Sequence, residues 1–209
     1  MNYWILMGDV VKSSDSDQIQ LQQCFAELIS EINNVFFNSL SSPLTITLGD
    51  EFQGIINSKT AVAEIVIAIE ELKWKQDFPI LFRFSVHYGE IETEINPMIA
   101  HGMLGQGLSF ARHQLEEMKK GDDRLKVSGK ISNKSEMELS LNLVLELQKS
   151  WKWRDRRIIS SYFQSQDYKI TAGELKKDVS LMWRRFKSLA FESYEKRKKL
   201  TLLIYGSSN

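Results

Sequence analysis

Residues 3–9, Tyr-Trp-Ile-Leu-Met-Gly-Asp, are an apolar run that stops on an acid. The run is far shorter than a membrane span and lacks helical spacing, so it reads as a buried strand with a carboxylate at its end. The next forty residues restrict the layout further. Ser13 to Asp17 offer helix caps, and Ile19, Leu21, Cys24, Phe25, Leu28, Ile29, Ile32, Val35 and Phe36 then fall at helical spacing. That helix is expected to end by Ser39–Pro43. Residues 44–48 alternate Thr with apolar residues, 52–56 are apolar again, and Gly49-Asp50 between them reads as a hairpin turn. The spacing predicts a helix over 61–74, a strand over 80–88, a helix over 103–120 and a short strand over 124–127.

This order is a split βαβ pattern. It predicts an α+β fold: a ferredoxin-like palm, with helices on one face of an antiparallel sheet and the other face able to carry a site. Residues 129–139 are polar and read as a linker, which puts the palm at 1–128. Helices are expected over 139–151, 154–164, 172–177 and 180–196, giving a small all-helical unit at 140–209. Charge divides the same way. Residues 1–140 carry 12 Lys and Arg against 20 Asp and Glu, whereas residues 141–209 carry 15 against 7. The acidic part suits metal binding and the basic part nucleic acid; alternatively, the two halves attract one another. Cys24, the single cysteine, excludes an intrachain disulfide and lies on an apolar helical stripe. With no basic leader and no long apolar run, a soluble cytoplasmic protein that meets no membrane is expected.

Asp9 ends the first strand, and Asp50 sits in the hairpin expected beside it. Converging carboxylates are costly unless a cation lies between them. Mg²⁺ takes one or two protein carboxylates and leaves its other positions to substrate phosphates. Mg²⁺ or Mn²⁺, held by Asp9 and Asp50, is therefore the expected cofactor. Lys12 and Ser13 open the first helix, where backbone amides form a natural phosphate cradle. Gly49 and Glu51 join them as expected substrate contacts. Simpler roles also fit: Asp50 as a turn residue and Ser13 as a helix cap. In an open site of this kind, Asp9→Asn or Asp50→Asn should leave the metal-free fold unchanged or slightly stabilised, since like charges repel. His87, His101 and His113 show no zinc-ligand spacing and read as structural groups, and no nucleophile elbow supports a Ser-His-Asp arrangement.

Four segments together resemble class III nucleotide cyclases: Asp9-Val-Val-Lys-Ser13, Gly49-Asp-Glu-Phe52, Arg83-Phe-Ser-Val-His87-Tyr-Gly89 and Phe110-Ala-Arg112. Gly-Asp-Glu-Phe is also similar to the signature of diguanylate cyclases, which share the palm. The resemblance implies Asp9 and Asp50 as metal ligands and Arg112 as a transition-state cation. It also implies a nucleoside triphosphate or cyclic nucleotide as ligand; a homodimer is the expected assembly. The chain departs from that pattern where Leu108 replaces an Asn, Ile46 replaces a purine-reading Lys, and Lys12 replaces a Gly. Over nearly its full length the chain resembles the SatD family of bacterial proteins, through Gly8-Asp-Val-Val-Lys-Ser-Ser14, the Gly-Asp-Glu-Phe hairpin, Gly102-Met-Leu-Gly-Gln-Gly107 and a C-terminal helix-turn-helix.

Residues 172–187 carry that helix-turn-helix pattern. Ala172 allows close packing, Leu175, Met182 and Phe186 supply a shared core, and Ser180 is the expected cap. Leu181, Arg184, Arg185 and Ser188 fall on the opposite face, where a recognition helix meets a DNA groove; Lys187 adds to the expected contacts with duplex DNA. Lys176 stands where such turns usually carry Gly. The expected function is a cytoplasmic regulator with a nucleotide- and metal-binding palm and a DNA-binding tail. An active metal-dependent nucleotidyl cyclase and a non-catalytic assembly scaffold are the alternatives.

Overall fold

The computed structural model describes residues 1–11, 17–76 and 79–207. Strands β1 (Asn2–Val10), β2 (Leu40–Ile46), β3 (Glu51–Ile56), β4 (Phe82–Glu90) and β5 (Leu125–Gly129) form one sheet in the order β2-β3-β1-β4-β5. The apolar run takes the centre, antiparallel to β3 and β4. It is buried on both faces, which is why its sequence shows no alternation. β5 joins parallel to β4, so the sheet is mixed rather than wholly antiparallel.

One face presents Leu6 and Val10 of β1, Phe52 of β3 and Phe82, Phe84 and Val86 of β4 to helices α1 (Gln18–Val35) and α2 (Lys59–Leu72). Burying each such side chain contributes roughly 1.5–3 kcal/mol. Asp17 starts α1 by accepting from the Ile19 and Gln20 amides, and Ser58 does the same for α2 through Ala61. The opposite face is covered by a helix too, whereas helices were expected on one face only. Ile5, Met7 and Ile55 pack there against Leu108, Ala111 and Leu115 of α3 (Gln106–Met118).

β3, β4 and β5 run in one direction, since β3 and β4 both oppose β1. The crossovers β3-α2-β4 and β4-α3-β5 step the same way across the sheet but on opposite faces. They therefore have opposite hands, and one departs from the usual right-handed rule. Residues 91–105 make this possible by crossing the second face. Ser42 donates to the Asn96 carbonyl at 2.6 Å, Thr45 Oγ1 accepts from the Ala100 amide at 2.9 Å, and the Glu92 amide reaches the Leu104 carbonyl at 2.9 Å. α3 then starts hard against the end of β4. A Cβ on Gly107 would stand 2.8 Å from the Glu90 carbonyl oxygen, so a larger residue would force the helix away.

Several boundaries differ from the sequence reading. β2 begins at Leu40 and contains Pro43; it is an edge strand with two register shifts, where a missing N–H is tolerated. The expected linker is mostly structured: β5 runs to Gly129 and α4 spans Lys134–Lys149. Its polar residues serve the edge of β5. Glu138 accepts from the Val127 amide at 2.9 Å, and Asn142 donates to the Leu125 carbonyl at 3.1 Å. After a short 3₁₀ turn at Trp153–Asp155 come α5 (Arg156–Ser165), α6 (Tyr168–Glu174), α7 (Val179–Ser188) and α8 (Phe191–Gly206). The single helix expected over 180–196 is broken at Ala190, whose φ is +55°.

The helices after β5 pack into the palm's main core. Met137, Leu141, Val144, Trp151, Ile159, Phe191, Tyr194 and Tyr205 belong to the same apolar cluster as the sheet. Trp151 meets Trp74 edge-on at 5.9 Å and Tyr194 at 5.3 Å. A buried ion triad also lies in the palm. Glu70 is fully buried, 2.5 Å from Lys73 and 2.6 Å from Arg124, whose Nε also donates to the Phe82 carbonyl.

Candidate functional site

On the second face, three strands end in charge at one rim of the sheet. Asp9 closes β1, Glu51 opens β3 directly opposite it, and Arg83 lies opposite Asp9 on β4. Side chains facing each other across an antiparallel pair share a face, so the three converge. All are buried: Asp9 is 3%, Glu51 5% and Arg83 8% exposed. α3 brings two more cations. Arg112 and Lys119 are seven residues apart, two helical turns on one side.

The contacts form a closed network. Arg83 Nη1 donates to both oxygens of Asp9, at 2.8 and 3.1 Å. Lys119 Nζ lies 2.7 Å from Glu51 Oε1, 2.8 Å from Glu116 Oε1 and 3.8 Å from Asp9 Oδ2. Arg112 Nη1 reaches Glu51 Oε2 at 3.4 Å. Arg83 Nε is buried with no hydrogen-bond partner. Burial raises the Asp9 pKa, against the opposing pull of Arg83 and Lys119, and Glu51 adds to the rise. Burial works against the Lys119 charge, but its hydrogen bonds to Glu116 and Glu51 and the charges of Glu51 and Asp9 outweigh that, and its pKa is raised.

A neutral polar chain continues down the face. Ser85 and Ser128 donate to Gln114 Oε1 at 2.7 and 3.1 Å, and His87 Nδ1 stands 2.8 Å from the Ser128 hydroxyl. His87 stacks on Phe110 at 4.7 Å, and burial lowers its pKa.

Of the residues read from sequence, Asp9, Glu51 and Arg112 come together here. Asp50 lies in the β2–β3 turn, where its carbonyl accepts from the Val10 amide at 3.0 Å. Gly49 precedes it with φ +74°, a left-handed conformation that suits glycine. Lys12 and Ser13 lie outside the described residues. The sequence reading assigned no role to Arg83 or Lys119. The signals were there: an arginine inside an alternating apolar strand, and a lysine in helical register with Arg112.

The donor set fits a hard divalent cation in kind, because Asp9 and Glu51 offer oxygen ligands on one face. Among the described residues no cluster of three or more His, Cys, Asp or Glu is set for metal. In this structure the cation between the two carboxylates is the Lys119 ammonium.

In the basic tail, Asp178 rather than Ser180 caps α7, accepting from the Leu181 amide at 2.9 Å; Ser180 donates to Asp178. Ala172 of α6 and Met182 of α7 are both buried, and Lys176 takes φ +52° in the turn. Arg184, Lys187 and Ser188 are exposed. Arg185 instead turns back to the buried Asp155, with Nε 3.0 Å from Oδ1 and Nη2 bonded to Oδ2.

A family model described as the SatD family matches residues 3–203. None of the curated proteins matches at significant similarity. Among the solved structures that are similar at low identity are the following three. A bacterial light-regulated adenylyl cyclase has TM-score 0.46 and 13% identity, covering 61% of this chain and 76% of its own. The catalytic core of a rhodopsin-guanylyl cyclase with converted specificity, in complex with ATPalphaS, has TM-score 0.45 and 15% identity over 61% and 79%. The monomeric guanylyl cyclase domain of the RhoGC fusion protein from the aquatic fungus Blastocladiella emersonii has TM-score 0.41 and 15% identity over 61% and 82%. No helix among the described residues is long and apolar enough to cross a membrane.

Proposed function

This chain belongs to the SatD family, and we propose that it is a regulatory protein whose palm rim binds nucleotide phosphates with a divalent cation and whose α6–α7 pair contacts duplex DNA. The observation that carries the palm reading is the meeting of Asp9 and Glu51 with Arg83, Lys119 and Arg112. Burying charges costs more than an apolar packing of the same volume in many cases, so a buried ionic network is poor evidence of a stabilising device. A ligand site gives these charges a use. Arg112 and Lys119, 42% and 34% exposed, can turn to a phosphate. Asp9 and Glu51, or Asp50 from the turn, would hold Mg²⁺ or Mn²⁺, which supplies charge neutralisation for phosphate oxygens.

Regulation is favoured over turnover because Leu108 packs in the apolar cluster under α3 and Ile46 packs against the main core. Neither offers the polar group that the cyclase resemblance implies at its position. The DNA reading is supported by the burial of Ala172 on α6 and Met182 on α7 and by the exposed Arg184, Lys187 and Ser188 on α7. Arg185 serves it by seating the helix on Asp155. The intramolecular alternative for the charge asymmetry has one observation in its favour: Lys198 of α8 pairs with Glu71 of α2 at 2.7 Å.

A panel of nucleoside triphosphates and cyclic nucleotides, with Mg²⁺ or Mn²⁺, tests the palm reading by thermal shift and product chromatography. A shift without product is expected. No shift with any nucleotide overturns the reading, and product formation moves it to the cyclase alternative.

A further inference from the structure

We infer that Lys119 is a built-in stand-in for the metal, so that the palm rim accepts a divalent cation only together with a phosphate that draws Lys119 away. This deepens the nucleotide-binding reading above and rests on it. Lys119 Nζ sits where a shared cation belongs, 2.7 Å from Glu51 and 3.8 Å from Asp9. It reaches the rim from α3, not from the strands that carry the carboxylates, and only 34% of its side chain is exposed. A free Mn²⁺ ion must displace this ammonium, and Arg112 from the other Glu51 oxygen. Arg112 would then lose its carboxylate, and Lys119 would keep only the exposed Glu116. A polyphosphate alone meets the opposite difficulty: it can recruit Lys119 and Arg112 only by leaving Glu51 and Asp9 facing each other with less compensation.

Metal and phosphate arriving together give the displaced groups new partners. Glu51 passes from nitrogen donors to the metal, Asp9 adds the metal to the bond it keeps from Arg83, and Lys119 and Arg112 pass from carboxylate to phosphate oxygens. Arg83 Nε, buried and unpartnered, is a further donor already in place at the rim. Coupling of this kind is reciprocal: each ligand raises the affinity for the other by one factor, typically about 5–150-fold.

The probes are Mn²⁺ and inorganic tripolyphosphate, titrated singly and together against the full chain by calorimetry, with thermal melts in parallel. Wild type should bind Mn²⁺ at least about tenfold more tightly when tripolyphosphate is present. Lys119→Gln should bind Mn²⁺ alone, with a gain of similar size over wild type, and should lose most of the coupling. Its melting temperature should fall in chelator and recover with Mn²⁺. Asp9→Asn/Lys119→Gln should lose the Mn²⁺ response. Equal Mn²⁺ affinity in wild type with and without tripolyphosphate overturns the inference, as does a folded Lys119→Gln chain with no gain. If Lys119→Gln does not fold, the wild-type coupling alone decides. Nucleotide binding that proceeds equally in chelator would leave the nucleotide part of that reading standing without its cation and remove this inference.

Discussion

Asp9 behaves differently from a carboxylate in an open site. Its burial against Arg83 reverses the expectation that its removal is harmless. Asp9→Asn leaves the Arg83 guanidinium buried without a counter-charge. Breaking one side of such a pair costs about 3–5 kcal/mol, and chemical denaturation of the metal-free chain should show a loss of that order. Unchanged stability would mean that Arg83 finds water or another acceptor. His87 makes a second prediction at this scale. Burial holds its folded pKa below the 6.5 of the unfolded chain. Between those values the unfolded chain binds a proton that the native chain does not. His87 therefore contributes full stability above pH 6.5, and that contribution falls as pH drops toward the lowered folded value. His87→Gln should flatten the fall in stability between pH 7 and 5, measured by urea denaturation at each pH. An unaltered slope would place the titration elsewhere.

At the scale of elements, most of the palm was legible because its segments carry clean periodicities. β1 showed as an unbroken apolar run, β4 as strict alternation, and α1 and α2 as apolar stripes. The covered second face was not legible, because the crossing segment 91–105 has no period and its hydrogen bonds join distant residues such as Ser42 and Asn96. α4 was missed at its start because its first turns face solvent and β5's edge, leaving only Met137 as an early core signal. The α7–α8 break had no Gly or Pro to mark it; Ala190 takes the left-handed conformation under tertiary constraint. At the rim, Asp9 and Arg112 were visible through motifs, while Lys119 had none. Lys176 supplies this scale's prediction. It is exposed and left-handed at φ +52°, a conformation that costs a side-chain-bearing residue roughly 1–2 kcal/mol. Lys176→Gly removes that cost, offset in part by the freer unfolded chain. A net gain of about 0.5–1 kcal/mol is expected in chemical denaturation; a loss would show that the Lys176 side chain is needed.

For the molecule as a whole, the palm and the C-terminal helices share one apolar cluster. A chain ending at residue 128 would expose the surface that Leu141, Tyr194 and Tyr205 cover. It should show no cooperative thermal transition by circular dichroism, whereas the full chain should melt in one step. A cooperative melt of the short chain would make the palm an independent folding unit. The polar start of α4 carries a separate consequence. Glu138 and Asn142 occupy two backbone groups of β5, the Val127 amide and the Leu125 carbonyl, and at the other border of the sheet Pro43 and two register shifts blunt β2. Neither border of the native sheet is a ready template for another strand. Copies of this protein would thus assemble through helical or loop surfaces, and strand-by-strand aggregation would begin from chains in which α4 has not yet docked. Folding order, more than native stability, would then set how readily the protein clumps when it is made.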